Sequence, residues 1–426
     1  MGRGRGNSYR DEVGDGDGGE AMGGPLTGVR VIDLTTVISG PYGTQIMGDM
    51  GADVVKVESH AGDIMRHPGP AASPGMGAAY MGCNRNKRSL VLDLKDPRGL
   101  EALKRLTRTA DVFVHNMRIK AAKRLGIDYD ALARINNRLI YCVIAGFGTD
   151  GPYGDRPAYD DVVQGMSGVA ATQGGPGGEP QFIKAIVADK TAGLASFGVV
   201  AAALYHRERT GRGQYVEVPM FETMVSFNYV ENLAGYTFDP PKGGAGYDRL
   251  TTPFRRPHKT ADGYIAALPY SAAHWRRFFA AAGRPDLAED PRLATGITIA
   301  RHVGELYAEL AAILETRPTA EWLDLLERIE IPCGPINGAR ELLEDEHLAA
   351  VGFFALRPHP SEGPVRVMRS PYRFSETANT IDRLAPRIGE HSVEILGEAG
   401  YGAAEIDELI EAGVTSDGTG GKGASS

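Results

Sequence analysis

The residue best placed to do chemistry in this chain is an aspartate between an apolar segment and an apolar helix. Asp189 follows FIKAIVA and precedes KTAGLASFGVVAAALYHRE. With the first segment read as a strand and the second as a buried helix, Asp189 lies at a helix N-terminus beyond a strand's carboxyl end, where open α/β sheets take ligands. The helix dipole favours the carboxylate form, which is the form a nucleophile needs. The plainer alternative is a helix cap, because an aspartate oxygen accepts bonds from orphan amide groups. Asp160 and Asp161 in RPAYDDVVQGMSG pose a similar choice: one starts a helix and the other faces a ligand pocket. Arg85, Lys87 and Arg88 in NRNKRSLVLDL form a basic cluster, either a solvated turn or a seat for phosphate. GFGTDG at Gly146–Gly151 fits G-x-G-x-x-G after a strand. The dinucleotide motif needs a helix next, and PYGDRPA follows instead, so a turn is expected.

Other chemistries lack their signatures. The histidines show no H-x-H or H-E-x-x-H spacing, so no metal site is expected. There is no G-x-S-x-G nucleophile elbow. Cys83, Cys142 and Cys333 are far apart with no C-x-x-C, which fits a reducing cytoplasm. Acidic residues number 54 against 46 basic, a net charge of −8. That excess argues against nucleic acid as a partner but leaves room for a local basic pocket. No run of 18 apolar residues and no signal-peptide core appear, so neither a membrane span nor export is expected.

The elements that must position these residues alternate. VRVIDLTT, DVVKVES, SLVLDL, DVFVHN, RLIYCVIA and FIKAIVA read as strands, with helical patterns such as PRGLEALKRLTRTA between them. Alternation of this kind predicts an α/β fold: a Rossmann-like doubly wound parallel sheet over 27–225. Residues 226–335 are expected to hold a linker and a smaller α+β domain, with a strand pair in KTADGYIAALP and helices around Trp275, Leu306 and Trp322. IPCGPING reads as a connector, and 336–415 as a return to the large domain. The Gly-rich ends, 1–26 and 416–426, read as disordered tails.

Six collinear blocks resemble the family III CoA-transferases over about 27–413. They are VIDLTTVISGPYGTQIMGDMGADVVKVE, NKRSLVLDLKDPRG, DVFVHNMRIKAAKRLGIDYDAL, NRLIYCVIAGFGTDGPYGDRPAYDDVVQGMSG, VADKTAGLASFGVVAAALYHRERTGRGQYVEVPM and IPCGPIN. The resemblance implies acyl-CoA and a carboxylic acid as substrates, no metal, and Asp189 as a nucleophile that carries first an acyl group and then CoA. It implies an interlocked homodimer. By position it assigns coenzyme A contacts to Val37, Ile38 and Ser39, to Leu92 through Lys95, to Asn116, Met117 and Arg118, to Arg124, and to Tyr159 and Asp160 near the thioester. Gly243, Gly244 and Gly246 are candidates for a loop that covers the intermediate, or for a plain linker.

Three positions depart from formyl-CoA transferase. Its glutamine is Ile38 here, a phosphate-binding arginine is Ser59, and a lysine near the thioester is Pro157. These changes argue against formyl and oxalyl specificity. His60, Arg66 and Lys87 are candidates to replace the arginine. The related α-methylacyl-CoA racemases are one alternative. They place a histidine where Tyr159 stands, and a tyrosine with an ordinary pKa of about 10 is a poor base. A CoA-binding protein without catalysis is the other alternative.

Overall fold

A computed structural model describes residues 23–419. Six strands form one parallel sheet: β1 (Arg30–Leu34), β2 (Asp53–Glu58), β3 (Lys87–Val91), β4 (Val112–His115), β5 (Ile140–Ala145) and β6 (Gln214–Pro219). Their spatial order is β3-β2-β1-β4-β5-β6, so the winding reverses between β1 and β4. Strand side chains alternate between the two faces. Ile32, Phe113, Tyr141 and Val143 join one core with the Pro97–Thr107 helix. Val31, Val112, Val114, Ile140 and Cys142 join the other, with Met47 of the Ser39–Asp49 helix and Ala192, Val200 and Leu204 of the Val187–Thr210 helix. Both faces are thus covered, as a doubly wound fold requires.

Five of the strands stand where the sequence puts them, and the sixth does not. FIKAIVA is not a strand. The Ile183 amide donates to the Gln164 side chain at 2.9 Å, and Phe182 and Ile186 face outward. A short apolar run has no period that separates a strand from the approach to an apolar helix. The true edge strand is β6, whose Tyr215 and Glu217 interrupt its apolar pattern. The Val187–Thr210 helix is also not buried all round: Leu194 and Tyr205 are exposed. By length and composition it is apolar enough to cross a bilayer, yet its other face packs on the sheet.

Further along, β7 (His258–Lys259), β8 (Tyr264–Ala267) and β9 (Cys333–Pro335) form an antiparallel sheet. The IPCGPING segment therefore supplies a strand and is not only a connector. Trp275, Leu306 and Trp322 lie in a core of their own beside this sheet. After a hairpin of β10 (Phe354–His359) and β11 (Gly363–Met368), the Ser392–Glu398 and Ala403–Glu411 helices add Ile395, Leu396, Ile406 and Leu409 to the first core. Most of both predicted tails, 1–22 and 420–426, lies outside the described residues. Leu26 is held in place, its amide donating to the Met50 carbonyl at 2.8 Å.

Candidate active site

Asp189 is the third residue of the Val187–Thr210 helix and is 6% exposed. It is not the cap. Asp160 does that work from a neighbouring helix, Asp160–Met166: its Oδ1 accepts from the Ala188 amide at 2.7 Å and from the Asp189 amide at 3.2 Å. Gln164, one turn along, donates to the other Asp160 oxygen and fixes its orientation. The Asp189 carboxylate itself accepts no hydrogen bond among the described residues. Burial, and then the charge of Asp160, push its carboxyl up to about 6. The direction is opposite to the one expected from the helix dipole.

Gly43 and Gly193 set the position of Asp189 against the sheet. A Cβ on Gly193 would sit 2.6 Å from the Ser39 carbonyl, and one on Gly43 would sit 2.4 Å from Ser196 Oγ. Only glycines let the Ser39–Asp49 and Val187–Thr210 helices approach this closely. The Asp189 turn is thereby packed beside the segment that carries Val37, Ile38 and Ser39.

That segment is held in an uncommon conformation. Val37 has φ of +72°, which a β-branched residue adopts only under constraint. The constraint is a buried ionic network. Asp33 and Lys56 are directly opposite on β1 and β2. Lys56 Nζ donates to the Thr35 carbonyl and to Asp63, each at 2.9 Å, and Asp63 Oδ1 accepts from the Val37 amide at 3.1 Å. Lys87 Nζ donates to Asp33 at 3.0 Å and to the Pro41 carbonyl at 2.9 Å. Burial alone would raise the Asp33 carboxyl. Lys87, Lys56 and the hydroxyls of Thr35 and Thr44 more than offset it and hold it at about 2. At the β1/β4 reversal, Asn116 and the Thr36 backbone exchange two hydrogen bonds, at 3.1 and 2.8 Å. His115 accepts from the Met117 amide at 3.2 Å and bonds the Tyr141 hydroxyl at 2.7 Å. Burial pushes its pKa down to about 4, so it is a neutral brace.

The segments assigned to coenzyme A by resemblance follow β1, β3, β4 and β5, along one edge of the sheet. Lys95, Arg118 and Arg124 are exposed and pair with no acid among the described residues. Tyr159 is 69% exposed. The Leu92 side chain is buried in the core, which leaves only its backbone for a ligand. The basic cluster of the sequence is neither a solvated turn nor a phosphate seat. Lys87 is in the network above, Arg85 pairs with Asp49, and Arg88 pairs with Asp53, Glu394 and Glu398. Arg66 is committed to Glu58 at 2.6 Å, and His60 to the Gly413 carbonyl at 2.9 Å. None of these replaces the arginine missing at Ser59 without breaking a bond. The GFGTDG segment is a turn with two of its amides held by acids: Gly148 donates to Glu222 at 3.0 Å and Thr149 to Glu217 at 2.7 Å. Gly243–Gly246 folds back on the preceding helix, with the Gly246 amide on the Asn232 carbonyl at 2.7 Å. No group of three or more His, Cys, Asp or Glu placed to hold a metal occurs among the described residues.

The family model for CoA-transferase family III matches residues 26–392. The chain belongs to this family. It is a CoA-transferase, and its family implies CoA thioesters as substrates. Among relatives of this family III chain, a succinate–glutarate CoA-transferase of Agrobacterium fabrum is 35% identical, covering 88% of this chain and 95% of the relative. A formyl-CoA:oxalate CoA-transferase of Streptomyces avermitilis is also 35% identical, covering 91% and 99%. A crystal structure of a CaiB/BaiF family protein from Brucella suis superposes with a TM-score of 0.76 at 32% identity, covering 89% of this chain and all of that one.

Proposed function

We propose that this CoA-transferase works through covalent intermediates on Asp189. The supporting observation is a buried carboxylate with no hydrogen-bond partner among the described residues, on a helix turn capped by Asp160 and packed against the β1 segment. Ionised Asp189 attacks the donor thioester carbonyl and expels CoA thiolate, leaving an acyl–aspartyl anhydride. The thiolate attacks the aspartyl carbonyl, forming an aspartyl–CoA thioester and releasing the donor acid. The acceptor carboxylate attacks that carbonyl and expels the thiolate again. The thiolate then takes the acceptor acyl group from the new anhydride, and Asp189 is regenerated. Each step trades one activated acyl bond for another, so no ATP is consumed. A carboxylate without hydrogen bonds and partly desolvated is a better nucleophile than a solvated one. Orphan amides in the first turn of the Ser39–Asp49 helix are suited to the oxyanions. Lys95, Arg118 and Arg124 are the cations we assign to the phosphates of coenzyme A.

The acids are proposed to be small dicarboxylates, because the relatives named above are transferases of succinate, glutarate and oxalate. The active unit is proposed to be a homodimer, a reading favoured by the exposed apolar residues of the Val187–Thr210 helix; that its two chains interlock is what the family resemblance implies. Hydroxylamine added during turnover should mark the Asp189 peptide, read by mass spectrometry. Asp189→Ala should lose transfer entirely and still bind CoA. Retained turnover in that variant refutes the covalent route.

A further inference from the structure

The turn between β1 and the Ser39–Asp49 helix lies at the winding reversal, where open α/β sheets take ligands. It also touches the helix that carries Asp189, since the Ser39 carbonyl packs on Gly193, one turn beyond that residue. Whatever fixes this turn therefore fixes one wall of the site. Side chains from elsewhere do much of the fixing. The Thr35 amide donates to the Asp33 side chain at 2.9 Å, the Thr35 carbonyl accepts from Lys56, and Asn116 holds Thr36 on both sides. Val37 follows, in a left-handed conformation that a β-branched residue keeps only where its neighbours over-determine it. The Val37 amide has one partner among the described residues, an oxygen of Asp63, and its carbonyl meets only the Cys83 thiol, at 3.9 Å.

Asp63 is fully buried and reaches Val37 from the loop after β2, 26 positions along the chain. Its Oδ2 accepts from Lys56 at 2.9 Å, its Oδ1 is shared between the amides of Val37 and Met65, and its own amide donates to Glu58 at 2.9 Å. The carboxylate is thus aimed from three sides. A plainly structural Asp63 would cap the Ile64–Arg66 turn and balance Lys56. Neither duty needs the Val37 amide: the cap is the Met65 bond, and Asp33 and Glu58 also place negative charge beside Lys56. The bond to Val37 is a separate contact, and it is the one that leads to the site. We propose that Asp63 is a positioning residue for CoA transfer: by holding the Val37 amide it keeps the 37–39 turn in its left-handed form against the Asp189 helix. The inference rests on the reading of Asp189 given above and adds a residue that acts on it through the turn.

The test is a set of double-mutant cycles between positions 63 and 37. In D63N one acceptor oxygen must serve both the Lys56 ammonium and the Val37 amide, which lie on opposite sides, so one is lost. Glycine takes a left-handed φ without steric cost, whereas alanine does not. Transfer kcat is read with the fastest pair from a panel of short acyl-CoA thioesters and small carboxylates. D63N should lower kcat at least tenfold, and V37A/D63N should fall as far below V37A. V37G/D63N should stay within twofold of V37G, because the turn then no longer depends on Asp63. On the resting full chain, deuterium exchange of the peptide spanning 36–42 should be at least tenfold faster in D63N. A glycine supplies neither a cap nor a charge, so a merely structural Asp63 predicts no rescue. D63N at the wild-type kcat overturns the proposal. So does a V37G/D63N chain that is unfolded or as far below V37G as D63N is below wild type, and so does equal rescue by V37A. The exchange arm needs no turnover, and kcat reads transfer by any route. Retained turnover in Asp189→Ala would refute the covalent reading separately and leave the cycles readable.

Discussion

Asp189 carries a conflict between folding and chemistry. Its carboxyl is raised from an ordinary value near 3.8 to about 6 in the folded chain. The folded state therefore holds the proton to higher pH than the unfolded state does. Stability is lost as pH climbs from about 4 to about 6, and the ionised group costs the fold on the order of 3 kcal/mol above that window. Attack on a thioester needs the ionised form. The kcat/KM for acyl-CoA should thus rise with pH through about 6 and then level off. Asp189→Asn should be inactive and, in urea unfolding at pH 8, about 2–3 kcal/mol more stable than wild type, with no gain at pH 4. Asp160 contributes to the shift by its charge and caps the helix by its oxygen. Asp160→Asn retains the oxygen and removes the charge, so the pH–rate profile should move to lower pH. An unmoved profile in that variant means that Asp160 does not tune the nucleophile.

At the scale of elements, the site depends on two helices approaching closely. Adding a methyl at Gly193 brings it against the Ser39 backbone carbonyl, which has no flexible end to swing aside. The helices must part, and overpacking of this kind costs about 1–3 kcal/mol. Gly193→Ala should therefore lower stability by that amount and reduce the rate of Asp189 acylation at least tenfold, measured by single-turnover trapping. An acylation rate equal to wild type would show that the helix crossing does not position the nucleophile. Little of this crossing was legible in the sequence, where Gly43 and Gly193 are two of 56 glycines. The first five strands were legible, because buried parallel strands are continuous apolar runs between turn residues. The edge strand β6 was not, since its exposed side mixes Tyr215 and Glu217 into the run. Asp189 was legible as a candidate, but its cap was not: Asp160 lies 29 positions away. The buried network left a faint mark, as Asp33, Lys56 and Lys87 are charges inside apolar strands. Reading them as partners requires the register of β1, β2 and β3, which is a tertiary fact. Without it, Lys87 reads as part of a solvated turn or of a seat for phosphate.

At the scale of the molecule, exposed apolar side chains support the proposed dimer. Leu194, Gly198, Ala202 and Tyr205 form an exposed stripe along the Val187–Thr210 helix, and Phe227 and Val230 extend from the next, Met220–Asn232. Val230 is 81% exposed. Residues of this kind in contiguous patches mark association surfaces. Light scattering should give twice the chain mass at micromolar concentration, and Val230→Asp should shift part of the population to single chains. Interlocking makes a stricter prediction than dimerisation. Two chains that merely touch exchange partners at the rate of dissociation, whereas threaded chains must first unfold. Tagged and untagged dimers mixed under native conditions should form no mixed species over days, and should form them after denaturation and refolding together. Rapid exchange in native buffer would leave a dimer held by contact alone, and the threaded arrangement would have to be given up.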